Sequence, residues 1–147
     1  MDFPKIRVKA MCVVAREGNE ILAGIGRDDV KGEDFGRIIG GGIEFGETSE
    51  SALRREFQEE LGSDLLNVSF VKVIENIFQY KGKPMHEIVF LYTGDLSDQS
   101  LYLKERIRVV DGKEFDAVWV KLEDDASGKI KLYPEIDYKS LISERNP

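Results

Sequence analysis

The sequence predicts a layered α/β or α+β domain, in which helices pack against a β-sheet. Two observations point to this fold class. The chain has 147 residues, the length of one ordinary domain. Segments rich in β-branched and aromatic residues alternate with segments whose apolar residues recur at the helical spacing. No internal repeat, low-complexity tract or proline-rich linker divides the sequence, so residues 1–147 are predicted to form a single domain.

The N-terminal part of the chain has the pattern of strands separated by turns. Residues 5–16 alternate and then become continuously apolar, which predicts a strand with one buried end. Residues 17–20 predict a hairpin turn into a second strand at 21–25. A polar, glycine-containing loop is predicted over residues 26–36, ahead of three consecutive glycines at 40–42.

The pattern then changes to that of a helix, predicted over residues 48–61. Thr48 is a suitable N-cap, and Glu50 lies in the first turn, where the helix dipole favours negative charge. Gly62 supplies a C-terminal stop. The apolar stripe of this helix consists of Ala52, Leu53, Phe57 and Leu61.

The second half of the chain is predicted to contain a long hairpin. Its strands are expected at residues 68–80 and 87–96, around a turn at 81–84. A further strand is predicted at 117–122. A C-terminal helix is predicted over 134–144, with a proline at its first position.

Composition excludes several classes of protein. With 28 acidic and 21 basic residues the net charge is −7, which argues against sequence-independent binding to nucleic acid. A hydrophobic share of 41% is too high for a disordered chain, and no apolar run approaches the ~20 residues that span a membrane. The N-terminus lacks the pattern of a signal peptide, and the single cysteine, Cys12, excludes an internal disulfide. We therefore expect a cytoplasmic protein with no membrane partner.

Three glutamates on the predicted helix form the strongest chemical signal. Glu56, Glu59 and Glu60 stand at i, i+3 and i+4, so their carboxylates project from one side. Such like-charged pairs cost roughly 0.2–0.5 kcal/mol each when nothing compensates them. Arg55 can relieve Glu59, but no basic residue follows Glu56 or Glu60 at helical spacing. A hard divalent cation, Mg²⁺ or Mn²⁺, would neutralise the cluster.

The glycines before the helix support this interpretation. A glycine-rich loop lets the backbone approach a ligand closely and offers main-chain carbonyls and amides. Such a loop leading into a carboxylate-bearing helix suits a metal-bound diphosphate. Spacing alone leaves a second interpretation open, in which the glutamates are a solvated helix face that follows a glycine turn.

Residues 41–63 reproduce a known pattern, G-x5-E-x7-R-E-U-x-E-E-x-G-U, in which U is a bulky apolar residue. All seven fixed residues are present: Gly41, Glu47, Arg55, Glu56, Glu59, Glu60 and Gly62. The chain therefore resembles the Nudix hydrolases, which act on nucleoside diphosphates linked to another group. The resemblance implies a Nudix-type α/β/α sandwich with a mixed central sheet. Ser63 departs from the pattern, since an aliphatic residue is usual there, and Ile39 and Phe45 replace prolines common in the family.

The resemblance also implies roles for individual residues. Glu56 and Glu60 would be the principal metal ligands, and Glu59 would be a further ligand, directly or through water. The backbone carbonyl of Gly40 would complete the metal sphere. The pair formed by Glu47 and Arg55 would hold the loop against the helix and orient Glu56.

The implied chemistry is attack of water on a phosphorus atom of the diphosphate bridge. The general base would be Glu56 or an acid of a later loop, for which we favour Glu114 over Asp116 and Glu105. Arg37, just before the glycines, is the candidate cation for substrate binding, and Arg27 is an alternative.

Four other residues are assigned no catalytic role. His86 begins an H-E-x-x pattern without its second histidine, and we expect a structural or surface residue. Trp119 and Cys12 are expected to pack in the core. Tyr80 lies about where dinucleoside-polyphosphate hydrolases of this family carry a tyrosine, but we favour an aromatic residue at the tip of a hairpin.

The prediction is a metal-dependent hydrolase whose partner is a small nucleotide. A nucleoside triphosphate, nucleotide sugar, ADP-ribose or dinucleoside polyphosphate would each fit. A nucleotide sensor of the same fold, which binds without turnover, is the main alternative, and an acidic protein-interaction domain is a third. The family includes homodimers, so the oligomeric state stays open. Residues 44–60 hold six glutamates and two arginines, a surplus of −4 that a metal site explains.

Overall fold

The computed structural model describes residues 4–111 and 113–145, without the side chains of Val110, Asp111 and Lys113. The strands in chain order are β1 (Ile6–Val13), β2 (Ala15–Arg16), β3 (Glu20–Asp28), β4 (Glu33–Gly42), β5 (Leu65–Tyr80), β6 (Lys83–Leu96), β7 (Arg106–Asp111), β8 (Lys113–Lys121) and β9 (Lys131–Tyr133). The helices are α1 (Ser49–Leu61), α2 (Leu122–Ser127) and α3 (Tyr138–Arg145), and a short 3₁₀ helix covers Gln99–Leu103.

The strands described form one mixed sheet in the order β5-β6-β1-β4-β3-β8-β7. The β2 strand is added beside β3, and β9 beside β4. The central strand β4 changes partners along its length. Its first part pairs with β3, and its last four residues pair with β1. The glycines at 40–42 lie in this last part, so the sheet itself positions the loop that leads into α1.

Two apolar cores lie on opposite faces of this sheet. In β1, Ala10 and Cys12 belong to the core beneath α1, and Met11 and Val13 belong to the core beneath α3. Successive side chains of a strand point to opposite faces, so a strand covered on both sides must be continuously apolar. This explains the apolar run that starts at Ala10. Helices on both faces of a mixed sheet confirm the predicted α/β class.

Several predicted elements have the expected type. The helix predicted at residues 48–61 is α1, and the long hairpin is formed by β5 and β6. The predicted turn at residues 17–20 joins β2 to β3, although Glu20 itself is the first residue of β3.

Three predictions were wrong in part. Residues 26–36 are not a loop, because β3 and β4 pair as far as Asp28 and Glu33 around a short turn. The C-terminal helix begins at Tyr138 rather than at residue 134, since residues 131–133 form a strand that pairs with β4. The strand predicted at 117–122 begins earlier, at Lys113, as the second strand of a hairpin with β7.

None of the helices in the described part of the chain is long and apolar enough to cross a membrane.

Candidate active site

The candidate site begins with the loop and helix that follow β4. Thr48 caps α1, because its hydroxyl accepts a hydrogen bond from the backbone N–H of Ser51 at 3.2 Å. Gly62 ends the helix in the left-handed conformation, with φ of 64°. Leu53 and Phe57 on the inner face of α1 are fully buried against the sheet. These contacts fix the rotation of α1, and with it the direction of its glutamates.

Arg55 connects the loop to the helix. Its Nε and Nη2 donate to the two carboxylate oxygens of Glu47 at 2.7 and 2.9 Å, and Nη2 also donates to the carbonyl of Gly42 at 3.0 Å. Bidentate arginine–carboxylate pairs fix orientation as well as distance. Hydrogen bonds from Arg55, aided by the backbone N–H of Glu44, lower the pKa of Glu47 to about 2. The same pair raises the pKa of Arg55 above its usual value.

Arg55 also contacts the predicted metal ligands. Its Nη1 donates to Glu56 at 3.0 Å and to Glu59 at 3.2 Å. The i, i+4 spacing predicted the contact between Arg55 and Glu59. It did not predict the contact with Glu56, which is adjacent to Arg55 in the sequence. One guanidinium therefore lies among three carboxylates, and the negative charge of this region exceeds what it can balance.

The three glutamates differ in their exposure. The side chain of Glu56 is 15% exposed and that of Glu59 is 44% exposed. Glu60 is half-buried and lines a cavity of about 460 Å³, together with Gly40, Gly41 and Arg37. Glu56 and Glu60 thus occupy the inner part of the site, and Glu59 lies at its rim.

The glycines leave space that a side chain would fill. A Cβ atom on Gly41 would lie 2.3 Å from the carboxylate carbon of Glu56, so this carboxylate packs directly against the loop backbone. A Cβ atom on Gly40 would lie 2.1 Å from the carbonyl oxygen of Ala10 in β1. Both positions require glycine for close approach rather than for an unusual φ.

These residues suit a hard cation in donor type and placement. At Gly41 the Glu56 carboxylate packs against the backbone, which offers carbonyl oxygens of its own. Carboxylate and carbonyl oxygens are the ligands that Mg²⁺ and Mn²⁺ prefer. Within residues 4–111 and 113–145, no group of three or more acidic, histidine or cysteine side chains has the arrangement of a preformed metal site.

The candidate loop base does not lie in a loop. Glu114 belongs to β8, and Arg108 on the neighbouring strand β7 donates to it at 2.6 Å. It nevertheless lines the same cavity as Glu60. Asp116 pairs with Arg106 at 2.5 Å and does not line that cavity, and neither does the exposed Glu105. Gly112, part of the segment predicted as a loop, lies outside the described residues.

Arg37 lines the same cavity from β4, three residues before Gly40. Its Nη2 donates at 2.5 Å to Glu87 of β6, whose side chain is 1% exposed. The ammonium of Lys9 in β1 lies 3.4 Å from the other carboxylate oxygen. Burial, and secondly the charge of Arg37, lower the pKa of Lys9. We call this group of Lys9, Arg37 and Glu87 the cationic cluster.

A family model described as a NUDIX domain matches residues 5–139, which is most of the chain. The chain belongs to the NUDIX domain family. The predicted family, and with it the prediction of a Nudix hydrolase, is confirmed.

Similar solved structures support the same fold. A MutT NUDIX hydrolase from Burkholderia pseudomallei is 23% identical with a TM-score of 0.60, over 97% of this chain and 99% of that one. A NUDIX hydrolase from Nitrosomonas europaea is 18% identical with a TM-score of 0.57, over 85% and 78%. A structure described as an ADP compounds hydrolase is 16% identical with a TM-score of 0.55, over 84% and 62%. At these identities the similarity establishes the Nudix fold.

The residues assigned no catalytic role lie mostly away from the Nudix site. Cys12 is fully buried in the core beneath α1. Trp119 is also buried, stacks on Tyr102 at 5.4 Å and lies beneath the guanidinium of Arg16. His86 is half-buried on β6. Tyr80 is the exception, because it lines the cavity and packs edge-on against Phe35.

Arg27, the alternative substrate-binding cation, is paired with two acids near the turn between β3 and β4. It pairs with Asp29 and Asp34 at 3.0 Å each, and its side chain is 52% exposed. It is absent from the lining of the cavity.

Sequence reasoning missed Lys9 and Glu87. The alternation of basic and apolar residues over positions 5–9 could have indicated that Lys9 lies on one face of β1. An acid directly before the apolar run at residues 88–92 could have indicated a buried partner for Glu87. Neither signal reveals that the two side chains meet at Arg37.

Proposed function

We propose that this Nudix protein hydrolyses a diphosphate linkage of a nucleoside diphosphate derivative, in a reaction that depends on Mg²⁺ or Mn²⁺. The observation that carries the proposal is the composition of one cavity. Glu60, the glycine backbone and Arg37 all line it, and the Glu56 carboxylate packs against that backbone. Such a cavity offers oxygen ligands for a cation beside a guanidinium for a phosphate.

In this proposal Glu56, Glu60 and the Gly40 carbonyl hold the metal, and Glu59 adds a ligand directly or through water. A bound divalent ion would lower the pKa of water and neutralise charge on the phosphates. Arg55 orients Glu56 through its hydrogen bond, and Glu47 in turn holds Arg55. We assign Arg37 to a phosphate oxygen of those substrates whose phosphates reach it.

The water must lose a proton, and two carboxylates are candidates for accepting it. Glu56 is held close to the glycine loop, whose Gly40 carbonyl is among the proposed metal ligands. Glu114 reaches the same cavity from β8 but is 61% exposed and paired with Arg108. We favour Glu56, because its position is fixed by Arg55 and by the loop backbone.

The comparisons support the choice of substrate class. One neighbour is described as an ADP compounds hydrolase and another as a MutT NUDIX hydrolase, and both share this fold. A small nucleotide is therefore the expected partner, and the cytoplasm is the compartment in which we expect the protein to meet it.

The proposal is tested with Glu60→Gln, which keeps the shape of the side chain and removes its charge. The panel contains nucleoside triphosphates, ADP-ribose, nucleotide sugars and dinucleoside polyphosphates, with and without Mg²⁺ or Mn²⁺. We expect the wild type to cleave at least one compound only when metal is present. We expect Glu60→Gln to lower turnover by about 10²-fold or more, as for other groups that act in the transition state.

Glu50→Gln is the matched control, since Glu50 lies on the same helix, pairs with Arg54 and is 53% exposed. It should leave turnover within about threefold, as expected for an exposed ion pair. If the wild type cleaves no compound faster than Glu60→Gln does, the hydrolase proposal is wrong and a nucleotide sensor is favoured. Glu114→Gln in the same assay distinguishes the two candidate bases.

A further inference from the structure

The cationic cluster contains a carboxylate that is costly to bury. The side chain of Glu87 is 1% exposed, and it lies between Arg37 at 2.5 Å and Lys9 at 3.4 Å. A buried charge is tolerated only where charged and hydrogen-bonding partners surround it. Glu87 lies on β6, which pairs with β1 on one side and with β5 on the other, so the sheet fixes its position. The Glu87 carboxylate therefore holds Lys9 and Arg37 in position.

The charges of the cluster do not balance. Two cations share one carboxylate, which leaves one positive charge in a chain whose net charge is −7. Lys9 and Arg37 line the cavity of the Nudix site and also a second cavity of about 250 Å³. Two more cations, Arg7 and Lys31, line the second cavity together with two acids, Asp28 and Glu33. With Glu87 included, four cations and three acids line this cavity, so it keeps the surplus of one positive charge that the cluster has.

The cluster is also close to the predicted metal site. Lys9 is two residues from Met11 along β1, or about 7 Å at the rise of a strand. Met11 is the register partner of Gly40, whose carbonyl is a predicted metal ligand. A phosphate chain held at the glycine loop can therefore extend along this wall to Lys9 and Arg37.

We propose that Lys9 and Arg37, held by Glu87, bind an uncleaved phosphate of the substrate, so that the enzyme prefers chains of three or more phosphates. Nucleotides joined to a sugar by only two phosphates have no group to place there. Glu87 is a positioning residue, because it acts through the two cations and does not itself touch the phosphate. This inference rests on the proposed function and selects among the substrates that it allows.

The first experiment measures binding of inorganic triphosphate by calorimetry at low ionic strength without metal. This probe separates the cationic cluster from the glutamates, which bind phosphate only through a cation. We expect the wild type to bind and Lys9→Met to bind about tenfold more weakly, as for the loss of one charge-assisted hydrogen bond. Lys72→Met is the control, because Lys72 is an exposed residue of β5 that lines neither cavity. No binding, or equal weakening in the control, would overturn the inference.

The second experiment compares a nucleoside triphosphate with ADP-ribose as substrates in the presence of metal. We expect kcat/KM to be about tenfold higher for the triphosphate than for ADP-ribose, because one charge-assisted hydrogen bond contributes about that factor. Glu87→Gln should raise KM for the triphosphate by about tenfold with kcat within about threefold, and leave KM for ADP-ribose unchanged. Glu75→Gln, an exposed acid on β5, is the control. A purely structural role for Glu87 would affect both substrates alike and would contradict the inference.

The outcomes separate this inference from the hydrolase proposal. If no nucleotide is cleaved but triphosphate binding depends on Lys9, the anion site stands and the hydrolase proposal fails. If nucleotides are cleaved and triphosphate inhibits without competing with them, the phosphate site is not part of the substrate site. The inference is then overturned, and the proposed function stands.

Discussion

Two charged regions of this Nudix protein face one cavity with opposite compositions. Around α1, the single guanidinium of Arg55 contacts Glu47, Glu56 and Glu59 at 2.7–3.2 Å. In the cationic cluster, the single carboxylate of Glu87 contacts two cations. The first region has a surplus of negative charge and the second a surplus of positive charge. A metal ion bound to a phosphate chain would balance both.

The two regions also differ in how the chain assembles them. The acidic region comes from residues 47–60, so one loop and one helix contain all of it. The cationic cluster takes one residue each from β1, β4 and β6, and 50 residues separate Arg37 from Glu87. A local motif is visible as a spacing in the sequence. A cluster that spans strands becomes visible only when their order in the sheet is known.

The strongest test of the acidic region is Gly41→Ala. The added methyl group would lie within 2.3–2.6 Å of the Glu56 carboxylate and must displace it. A shift of about 1 Å in a catalytic group can cost about 10²-fold in rate, so we expect a loss of that order in kcat. The measurement is steady-state turnover with Mg²⁺ or Mn²⁺, together with circular dichroism to verify the fold.

Gly42→Ala provides the matched control, because a Cβ at this neighbouring glycine meets nothing within 4 Å. It should retain turnover within about threefold, as expected for a surface change in open space. Equal losses in both variants would mean that flexibility of the loop, and not the space beside Glu56, is what the glycines supply.

The sequence predicted the acidic region well because its geometry depends on local rules. Helical periodicity placed Glu56, Glu59 and Glu60 on one side of α1, and the capping rules placed its ends at Thr48 and Gly62. Spacing could not reveal that Arg55 contacts Glu56, because adjacent helix residues meet only in particular side-chain conformations. The sequence also could not rank the glutamates by burial, which depends on how α1 packs on the sheet.

Elsewhere the sequence failed where tertiary pairing decides the structure. Residues 26–36 have the composition of a loop, yet most of them pair as strands because β3 and β4 continue past Gly26 and Gly36. Glu114 was expected in a loop, but pairing between β7 and β8 places it on a strand. Residues 131–133 pair with β4, and this contact delays the start of α3.

A second test concerns the pair of Glu47 and Arg55 and uses its dependence on pH. Hydrogen bonds from Arg55 lower the pKa of Glu47 from 4.5 to about 2. A lowered pKa in the folded state stabilises the fold above pH 4.5, and this contribution is lost as the pH falls towards 2. We therefore expect Glu47→Gln to reduce the free energy of unfolding by a constant amount near neutral pH. The difference from wild type should shrink between pH 4.5 and 2.

Urea denaturation at pH 6 and pH 3 measures this difference. Glu50→Gln is again a suitable control, because Glu50 is exposed and its pair with Arg54 at 3.3 Å is a single contact. Its effect should be small at both values, as for other exposed pairs. A difference between wild type and Glu47→Gln that does not change with pH would show that the ionised pair does not hold the loop to α1.

The smallest expected effect is that of Thr48→Ala at the start of α1. The variant removes the hydroxyl that accepts from the N–H of Ser51, and such a cap is worth about 1 kcal/mol of stability. We expect turnover to remain within about twofold, because burial of Leu53 and Phe57, rather than the cap, fixes the rotation of α1. Thermal denaturation and kcat measure the two quantities, with Ser51→Ala as a control that keeps the N–H donor. If turnover falls by tenfold or more with Thr48→Ala alone, the helix start itself sets the positions of Glu56 and Glu60. The acidic region would then depend on its first turn as closely as the cationic cluster depends on Glu87.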